Sequence, residues 1–306
     1  MRIWGMSDRN NHSLHEENEY AMNELRNDSE FEVSKLYQFF DAVWCRDIPT
    51  IDTIITGGLS VNARHPEFGD TALMCAADIK WVEGVQYFLR CGCDINARNK
   101  LQLNALDYAV NLIDGENTAS KTEAMIATIH LLLKSGIEFD TPRSAYSPHQ
   151  GGDTPLFTAA ASGNITGLHI LLGLGANLHR KQVSGFTPLF AAIENEQNEM
   201  LEELLKNGLE VNDIENALNT TPLYECVYYG NLIGVQKLLE YGADPNLFVS
   251  SSPLHLISKL ELTDHPPGRL RNEQENMKYD IARLLLSYGS DVNAIDSSGK
   301  RQRIIV

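Results

Sequence analysis

Much of what this 306-residue sequence lacks is informative. It has no run of about 18 consecutive apolar residues, so no helix is expected to span a bilayer. The opening MRIWGMSDRN lacks the apolar core of a signal peptide. Cations are scarce: 25 Lys and Arg stand against 41 Asp and Glu, a formal charge of -16. Nucleic-acid backbones are therefore excluded as partners, since binding them needs clustered cations, and an anionic membrane surface is disfavoured. A basic partner would instead be met quickly. Five cysteines, an odd count without a small-domain framework, point to a reducing compartment, and a cytoplasmic address is expected.

Catalytic motifs are missing too. No Walker loop, G-x-S-x-G or H-E-x-x-H occurs, and GLGANLHRK around Gly173 and Gly175 lacks the Gly-Lys-Ser/Thr finish of a phosphate loop. The nine histidines are dispersed without metal-ligand spacing. The expectation is no catalytic residue, no cofactor and no metal site. Hydrophobic residues are plentiful at 43%, enough for a buried interior. The length exceeds what one compact core usually organises, so two domains or an elongated repeat is expected.

Self-similarity decides between them. Thr154-Pro155-Leu156, Thr187-Pro188-Leu189, Thr221-Pro222-Leu223 and Ser252-Pro253-Leu254 follow one another at spacings of 33, 34 and 31. Upstream, Thr71-Ala72-Leu73 and Asn104-Ala105-Leu106 sit 33 apart. A Gly follows the Thr by 21 residues at Gly92, Gly175, Gly208 and Gly242. Asn62, Asn96, Asn212, Asn246 and Asn293 lie four beyond the repeat glycines. Each column has a physical use. Thr caps a helix with its hydroxyl, Pro tolerates the first helical position, and Leu points into the core. Small pairs such as Ala159-Ala160 and Ala191-Ala192 let neighbours approach, and Gly163 and Gly230 end a short first helix at positive φ. Paired leucines (Leu171-Leu172, Leu204-Leu205, Leu238-Leu239, Leu284-Leu285) mark a second helix.

A turn–helix–helix unit of this period with T-P-L at its head resembles the ankyrin repeat. The resemblance covers about residues 34–299 and implies an all-α solenoid with β-turn hairpin fingers, a single curved stack of seven repeats. Repeat one is degenerate, with Phe39 in the Leu column and Ala42 in an Ala column, and reads as a cap. Residues 1–33 read as a polar tail or loosely docked short helix. Residues 300–306 read as a C-terminal tail, where Ile304, Ile305 and Val306 either fold back over the last helix pair or continue into a longer chain. Insertions fall at about 113–123, 140–151 and 258–277. The first and third read as polar surface loops and the second as a lengthened finger. The His usual after the Leu survives only as His255. Cys75, Cys93 and Cys226 occupy or adjoin small-residue columns and read as buried apolar groups, with a redox role for Cys91 or Cys93 as the alternative. The Asn of CDINA, LEVND and SDVNA matches a position that asparaginyl hydroxylases modify in ankyrin proteins. Turn stabilisation is the simpler reading.

The resemblance also implies a concave groove, lined by fingers and first-helix ends, that holds protein partners. On the fingers these positions are Phe68, Asp70, Leu101, Leu103, Gln150, Asp153, Phe186, Leu218 and Phe248; Tyr146, His149 and Arg143 stand on the lengthened finger. On the helix ends they are Asp78, Asn111, Ser162, Glu194, Asn195, Tyr228 and Tyr229. Packing of each finger aromatic on its neighbour is the plainer alternative. Tyr228 and Tyr229 beside Phe186, rimmed by Glu194, Glu196 and Glu199, form the expected cluster for a basic partner. The implied function is a non-enzymatic, monomeric interaction module, an adaptor or an effector delivered into a host cytosol. The alternative is an acidic inhibitor or immunity-type protein that blocks a basic enzyme or toxin.

Overall fold

The computed structural model describes residues 28–111, 119–142, 154–182, 185–214, 219–247, 252–259 and 271–294. Fourteen helices and no extended strand occur among them. The chain divides into two compact units, Met1–Tyr146 and Ser147–Val306, and each is described by itself. The N-terminal unit holds α1 (Asp28–Trp44), α2 (Ile48–Thr56), α3 (Ala72–Asp78), α4 (Val82–Arg90), α5 (Ala105–Val110) and α6 (Ala119–Lys134). The C-terminal unit holds α7 (Pro155–Ser162), α8 (Ile165–Gly173), α9 (Pro188–Glu194), α10 (Asn198–Lys206), α11 (Pro222–Tyr228), α12 (Leu232–Glu240), α13 (Pro253–Lys259) and α14 (Arg271–Ser287). Odd-numbered helices form an inner row and even-numbered helices an outer row. In the first unit α1 packs on α3 and α3 on α5; in the second α7, α9, α11 and α13 stack in succession.

Inner helices α3, α7, α9 and α11 are short because a capped or Pro-led start is followed within eight or nine residues by a left-handed stop at Lys80, Gly163, Glu196 and Gly230. Thr71 and Thr221 accept from the backbone N–H groups of Met74 and Tyr224, and Ser252 Oγ accepts from that of His255. Asn104 accepts from Leu106 and Asp107 while Asp107 accepts from the Asn104 N–H, a reciprocal capping box. The hydroxyl cap expected at every Thr is absent at Thr154 and Thr187, where extended backbone and a Pro at the first helical position start the helix. Leu73, Leu106, Leu156, Leu189, Leu223 and Leu254 are all buried, each contributing about 1.5–3 kcal/mol of transfer free energy. Ala76, Ala77, Ala159, Ala160, Ala192 and Cys226 are buried between them, where anything larger would push the inner row apart. His255, at the head of the last inner helix, is fully buried with its Nδ1 3.1 Å from Ser252 Oγ.

Outer helices bury one stripe. In α6 it is Met125, Thr128, Ile129 and Leu132, at the spacing of successive turns. The repeat glycines end these helices: Gly92, Gly175, Gly208 and Gly242 have φ of 74°, 87°, 93° and 87°. A Cβ on any of them would meet nothing within 4 Å, so backbone conformation and not space requires glycine.

Two details depart from the sequence expectation and one falls within it. Helix α1 begins at Asp28, inside the segment read as a tail or a loosely docked short helix, and buries Phe39, Phe40, Ala42 and Val43 farther along. The insertions in repeats three and seven are partly helical: residues 119–122 start α6 and 271–276 start α14, which run 16 and 17 residues against nine for α4. Good helix formers supply the reason, Ala119 and Lys121 in one and Arg271, Glu273, Gln274 and Glu275 in the other. The remainder of both insertions, and most of the lengthened finger, lie outside the described residues.

Candidate partner-binding surface

Fingers are held by a polar ladder in which the Asn column does the joining. Asn62 Oδ1 accepts from the Asp94 N–H at 2.7 Å and Asn96 Oδ1 from the Glu138 N–H at 2.8 Å. In the second unit Asn212 accepts from Asp244 at 2.9 Å and Asn246 from Asp291 at 2.7 Å. Two residues before the Asn, the side chains of Ser60, Asp94, Asp244 and Asp291 accept from the N–H of Asn62, Asn96, Asn246 and Asn293. Each finger thus closes its own turn with one side chain and grips the next finger with another. At the finger tips Gly69, Gln102, Gly185 and Asn219 share a left-handed column, two residues before each helix cap. That turn fixes which neighbouring side chains point out.

In the N-terminal unit, Phe68 and Leu101 point out, 38% and 46% exposed. They are neighbours across adjacent fingers, because the Lys100 N–H donates to Phe68 O at 3.1 Å. Asp70 and Leu103, expected beside them, face inward and are buried. Asp70 Oδ1 accepts from Tyr108 Oη at 2.8 Å and from Asn99 Nδ2 at 2.7 Å, which binds two repeats together beneath the surface. Burial and the Asp70 charge push the Tyr108 phenol well above its usual range.

The inner-helix ends carry a second column. Asp78 is the buried last residue of α3, and Asn111 follows the last residue of α5. Between them lies Lys80, left-handed at φ 53°, whose Nζ donates to Tyr108 O at 2.6 Å and Asn111 O at 3.0 Å. Burial pushes its amine down to about 8, against the opposing charge of Asp78. Arg46 holds the same place one repeat earlier and donates to Ile79 O at 3.2 Å.

In the C-terminal unit two of the expected rings form a pair and the third packs on its own inner helix. Phe186 leans on Phe190 at 5.4 Å, half-buried. Tyr228 and Tyr229 meet edge-to-face at 5.3 Å, with Tyr228 42% exposed at the end of α11. Burial, then the Glu225 charge, pushes the Tyr229 phenol up to about 12, so that ring remains a neutral donor at physiological pH. Glu194 and Asn195 end α9, half-buried, and Asn195 Nδ2 is tied to Ala191 O at 2.9 Å. Tyr146, His149, Gln150, Asp153, Leu218 and Phe248 lie outside the described residues.

The sequence reading passed over Tyr37, His65, Arg64, Arg98 and Lys100. The His65 ring stacks on Phe68 at 5.7 Å and meets Tyr37 edge-on at 5.9 Å. The only signal of Arg64, His65, Arg98 and Lys100 is a place four to seven residues before the cap, a stretch with no fixed residue type, and Tyr37 lies within α1. The cysteines behave as small apolar groups where expected: Cys75 and Cys226 are buried, and burial raises Cys226 and brings Cys93 up to about 11. All five are thiols, with Cys91 and Cys45 exposed. Among the described residues no three His, Cys, Asp or Glu side chains could together hold a metal ion, and no helix is long and apolar enough to cross a membrane.

This architecture of capped inner helices, glycine-ended outer helices and Asn-joined fingers defines a helical-repeat solenoid built for display. Comparison with known proteins places it further. The family profile described as "Ankyrin repeats (3 copies)" matches residues 156–248, and "Ankyrin repeat" matches residues 68–100. An ankyrin repeat protein of Rickettsia felis is 32% identical over 171 residues, 53% of this chain and 71% of that one. The human transient receptor potential cation channel subfamily A member 1 is 24% identical over 288 residues, covering 82% of this chain and 24% of the channel. Among solved structures, the human ASB11 ankyrin repeat domain superposes with a TM-score of 0.58 at 19% identity, over 83% of this chain and 98% of that domain. The chain belongs to the ankyrin-repeat family, and the repeats make it a protein-interaction module.

Proposed function

We propose that this chain is a non-enzymatic, monomeric adaptor or effector that holds a protein partner on its finger tips and inner-helix ends. The observation that carries the reading is Tyr228. It is a large aromatic left 42% exposed at the end of an inner helix, braced edge-on by Tyr229. A braced aromatic loses little side-chain entropy on binding, which is why Tyr so often anchors interfaces. Phe68, Leu101, Asn111, Phe186, Glu194 and Asn195 extend the surface within their own units. Glu225 beside the tyrosines, with Glu194, Glu196 and Glu199 on the preceding repeat, favours a basic partner there. A cytoplasmic address fits the five thiols.

The test is quantitative affinity capture from the source cells with the full chain, with Tyr228→Ser, and with Tyr279→Ser. Tyr279 is a control of somewhat greater exposure, 51%, on the outer helix α14. Specific loss of a protein with Tyr228→Ser alone supports the reading. Equal loss with both variants, or with neither, counts against it. The net charge of -16 favours a second reading, an inhibitor that occludes a basic enzyme. In that case the captured protein has an activity that the chain abolishes and Tyr228→Ser restores.

A further inference from the structure

We propose that the tips of the two fingers carrying Phe68 and Leu101 form a docking surface for an acidic peptide segment with at least one bulky apolar side chain. The inference rests on the interaction-module reading and adds the partner's chemistry at this end of the chain, opposite in sign to what the net charge suggests.

Three observations combine. The first is the apolar platform. Phe68 and Leu101 are exposed on adjacent fingers that the Lys100 N–H to Phe68 O bond joins, and the His65 ring, stacked on Phe68 with an interplanar angle of 21°, is wedged edge-on against Phe40 at 5.1 Å. Exposed groups held this firmly are preorganised for a partner.

The second is the pattern of cations. Arg64 donates to Arg98 O at 2.6 Å and Gly69 O at 3.1 Å. Arg98 donates to Gln102 O at 2.9 Å and Thr141 O at 3.4 Å. Lys100 Nζ donates to Pro66 O and Glu67 O, each at 2.8 Å. All these acceptors are neutral carbonyls. They fix where the charges sit without cancelling them, and the Arg64 guanidinium and Lys100 ammonium keep unused donors.

The third is that the finger's own acids leave these cations unpaired. Asp70 is buried on Tyr108 and Asn99, and the exposed Glu67 offers Lys100 its backbone carbonyl rather than its carboxylate. An acidic segment gains charge-assisted hydrogen bonds here that the protein's own carboxylates do not already occupy. A nucleic acid would offer anions too, but three fixed cations on a chain of charge -16 give it little counterion release, and the apolar pair gives it no gain.

The experiment is selection of a displayed random dodecamer peptide library on the full chain, with counter-selection on Phe68→Ser/Leu101→Ser. Both substituted side chains are exposed, so circular dichroism and thermal unfolding should match wild type. The surviving peptides should be rich in Asp and Glu around an aromatic residue or Leu. Made synthetically and followed by fluorescence anisotropy, they should bind the double variant about tenfold more weakly. They should also weaken as NaCl rises from about 0.05 to about 0.5 M. A second arm needs no variant: the same peptides with every Asp and Glu changed to Lys should bind wild type at least about tenfold more weakly.

Enrichment of basic or wholly apolar peptides would overturn the proposal, as would equal binding of the charge-reversed set or failure of any peptide to distinguish wild type from variant. So would self-association of the full chain, or binding of a dT12 oligonucleotide, that the double substitution abolishes. None of these outcomes touches the capture experiment at Tyr228, so the two readings fail separately.

Discussion

One residue column is built in opposite ways in the two units. One or two places past the last inner-helix residue, the N-terminal unit has Arg46 and Lys80, and the C-terminal unit has Gly163, Glu196 and Gly230. All five are left-handed, with φ from 53° to 71°. In the first unit the side chain reaches forward and donates to carbonyls at the end of the next inner helix. In the second, the next repeat reaches back: a Cβ on Gly163 would lie 2.2 Å from Gln197 Oε1, and one on Gly230 would lie 2.3 Å from Met277 Cε. The charges elsewhere follow suit. Described cations of the first unit such as Arg64, Arg98 and Lys100 rest on carbonyls, whereas Lys181, Lys206 and Lys237 of the second pair with Asp213, Glu202 and Glu203. One backbone therefore presents uncancelled positive charge at one end and tyrosines among glutamates at the other. The repeat fixes backbone geometry and leaves the chemistry of each face open.

The largest test of this contrast compares the residue just before the helix cap. Asp70→Ala leaves a buried phenol and a buried amide without their acceptor and should cost roughly 2–4 kcal/mol of unfolding free energy, with Asp70→Asn recovering most of it. Thr220, the same column in the second unit, has a buried hydroxyl without a partner among the described residues. Thr220→Val should be neutral or stabilise by about 0.5 kcal/mol. Denaturant unfolding of the three variants decides, and similar losses at both positions would break the comparison.

Next is the left-handed column. Glu196 makes no side-chain hydrogen bond or ion pair among the described residues at φ 55°, so Glu196→Gly should stabilise by roughly 1 kcal/mol through relief of backbone strain. Lys80→Gly gains the same relief but loses two charge-assisted hydrogen bonds, and should destabilise by about 1 kcal/mol. Opposite signs in thermal unfolding are the expected result.

Lys80 also gives a pH signature. Its folded-state value of about 8 lies below the ordinary lysine value of 10.5, so between these the unfolded chain binds more protons than the folded one. Stability therefore rises with pH across that window, and the cost of holding a buried ammonium is fully present below it. The thermal midpoint of the wild type should rise from about pH 8 to about pH 10.5 relative to Lys80→Met, which should lack that component. Parallel profiles would remove the buried amine from the account.

The smallest effect is salt. The outer-helix pair Lys237–Glu202 and the finger pair Lys181–Asp213 are partly exposed, so about 0.5 M NaCl should cost the second unit only a few tenths of a kcal/mol. The Arg46 and Lys80 clasps are not ion pairs and should keep their hydrogen-exchange protection. Equal loss in both units would show that the contrast has no energetic consequence.

The period was legible because each column serves local backbone needs: a cap at Thr71, a positive φ at Gly92, a buried Leu at Leu106. The candidate surface was legible only in part. Phe68, Leu101 and Tyr228 were found by register, since finger tips and inner-helix ends recur at fixed offsets from the cap. Asp70 and Leu103 lie on the same fingers, one residue before the cap instead of three, and face inward, where Tyr108 and Asn99 bind the Asp70 carboxylate. That pairing lies 38 residues apart for Tyr108 and is written in no repeat column. Tyr37 and His65 escaped notice for the same reason, as partners of Phe68 through space.

The sequence by itself determined the ankyrin architecture. Caps, left-handed stops and apolar stripes act within one turn or one helix, and a 33-residue period repeats them. Tertiary structure alone decided which charges are spent and which are displayed. Whether an Arg or Lys ends on a carboxylate or on a carbonyl depends on the neighbouring repeat's backbone, so Arg64, Arg98 and Lys100 become a positive rim on an acidic protein only when adjacent fingers are stacked.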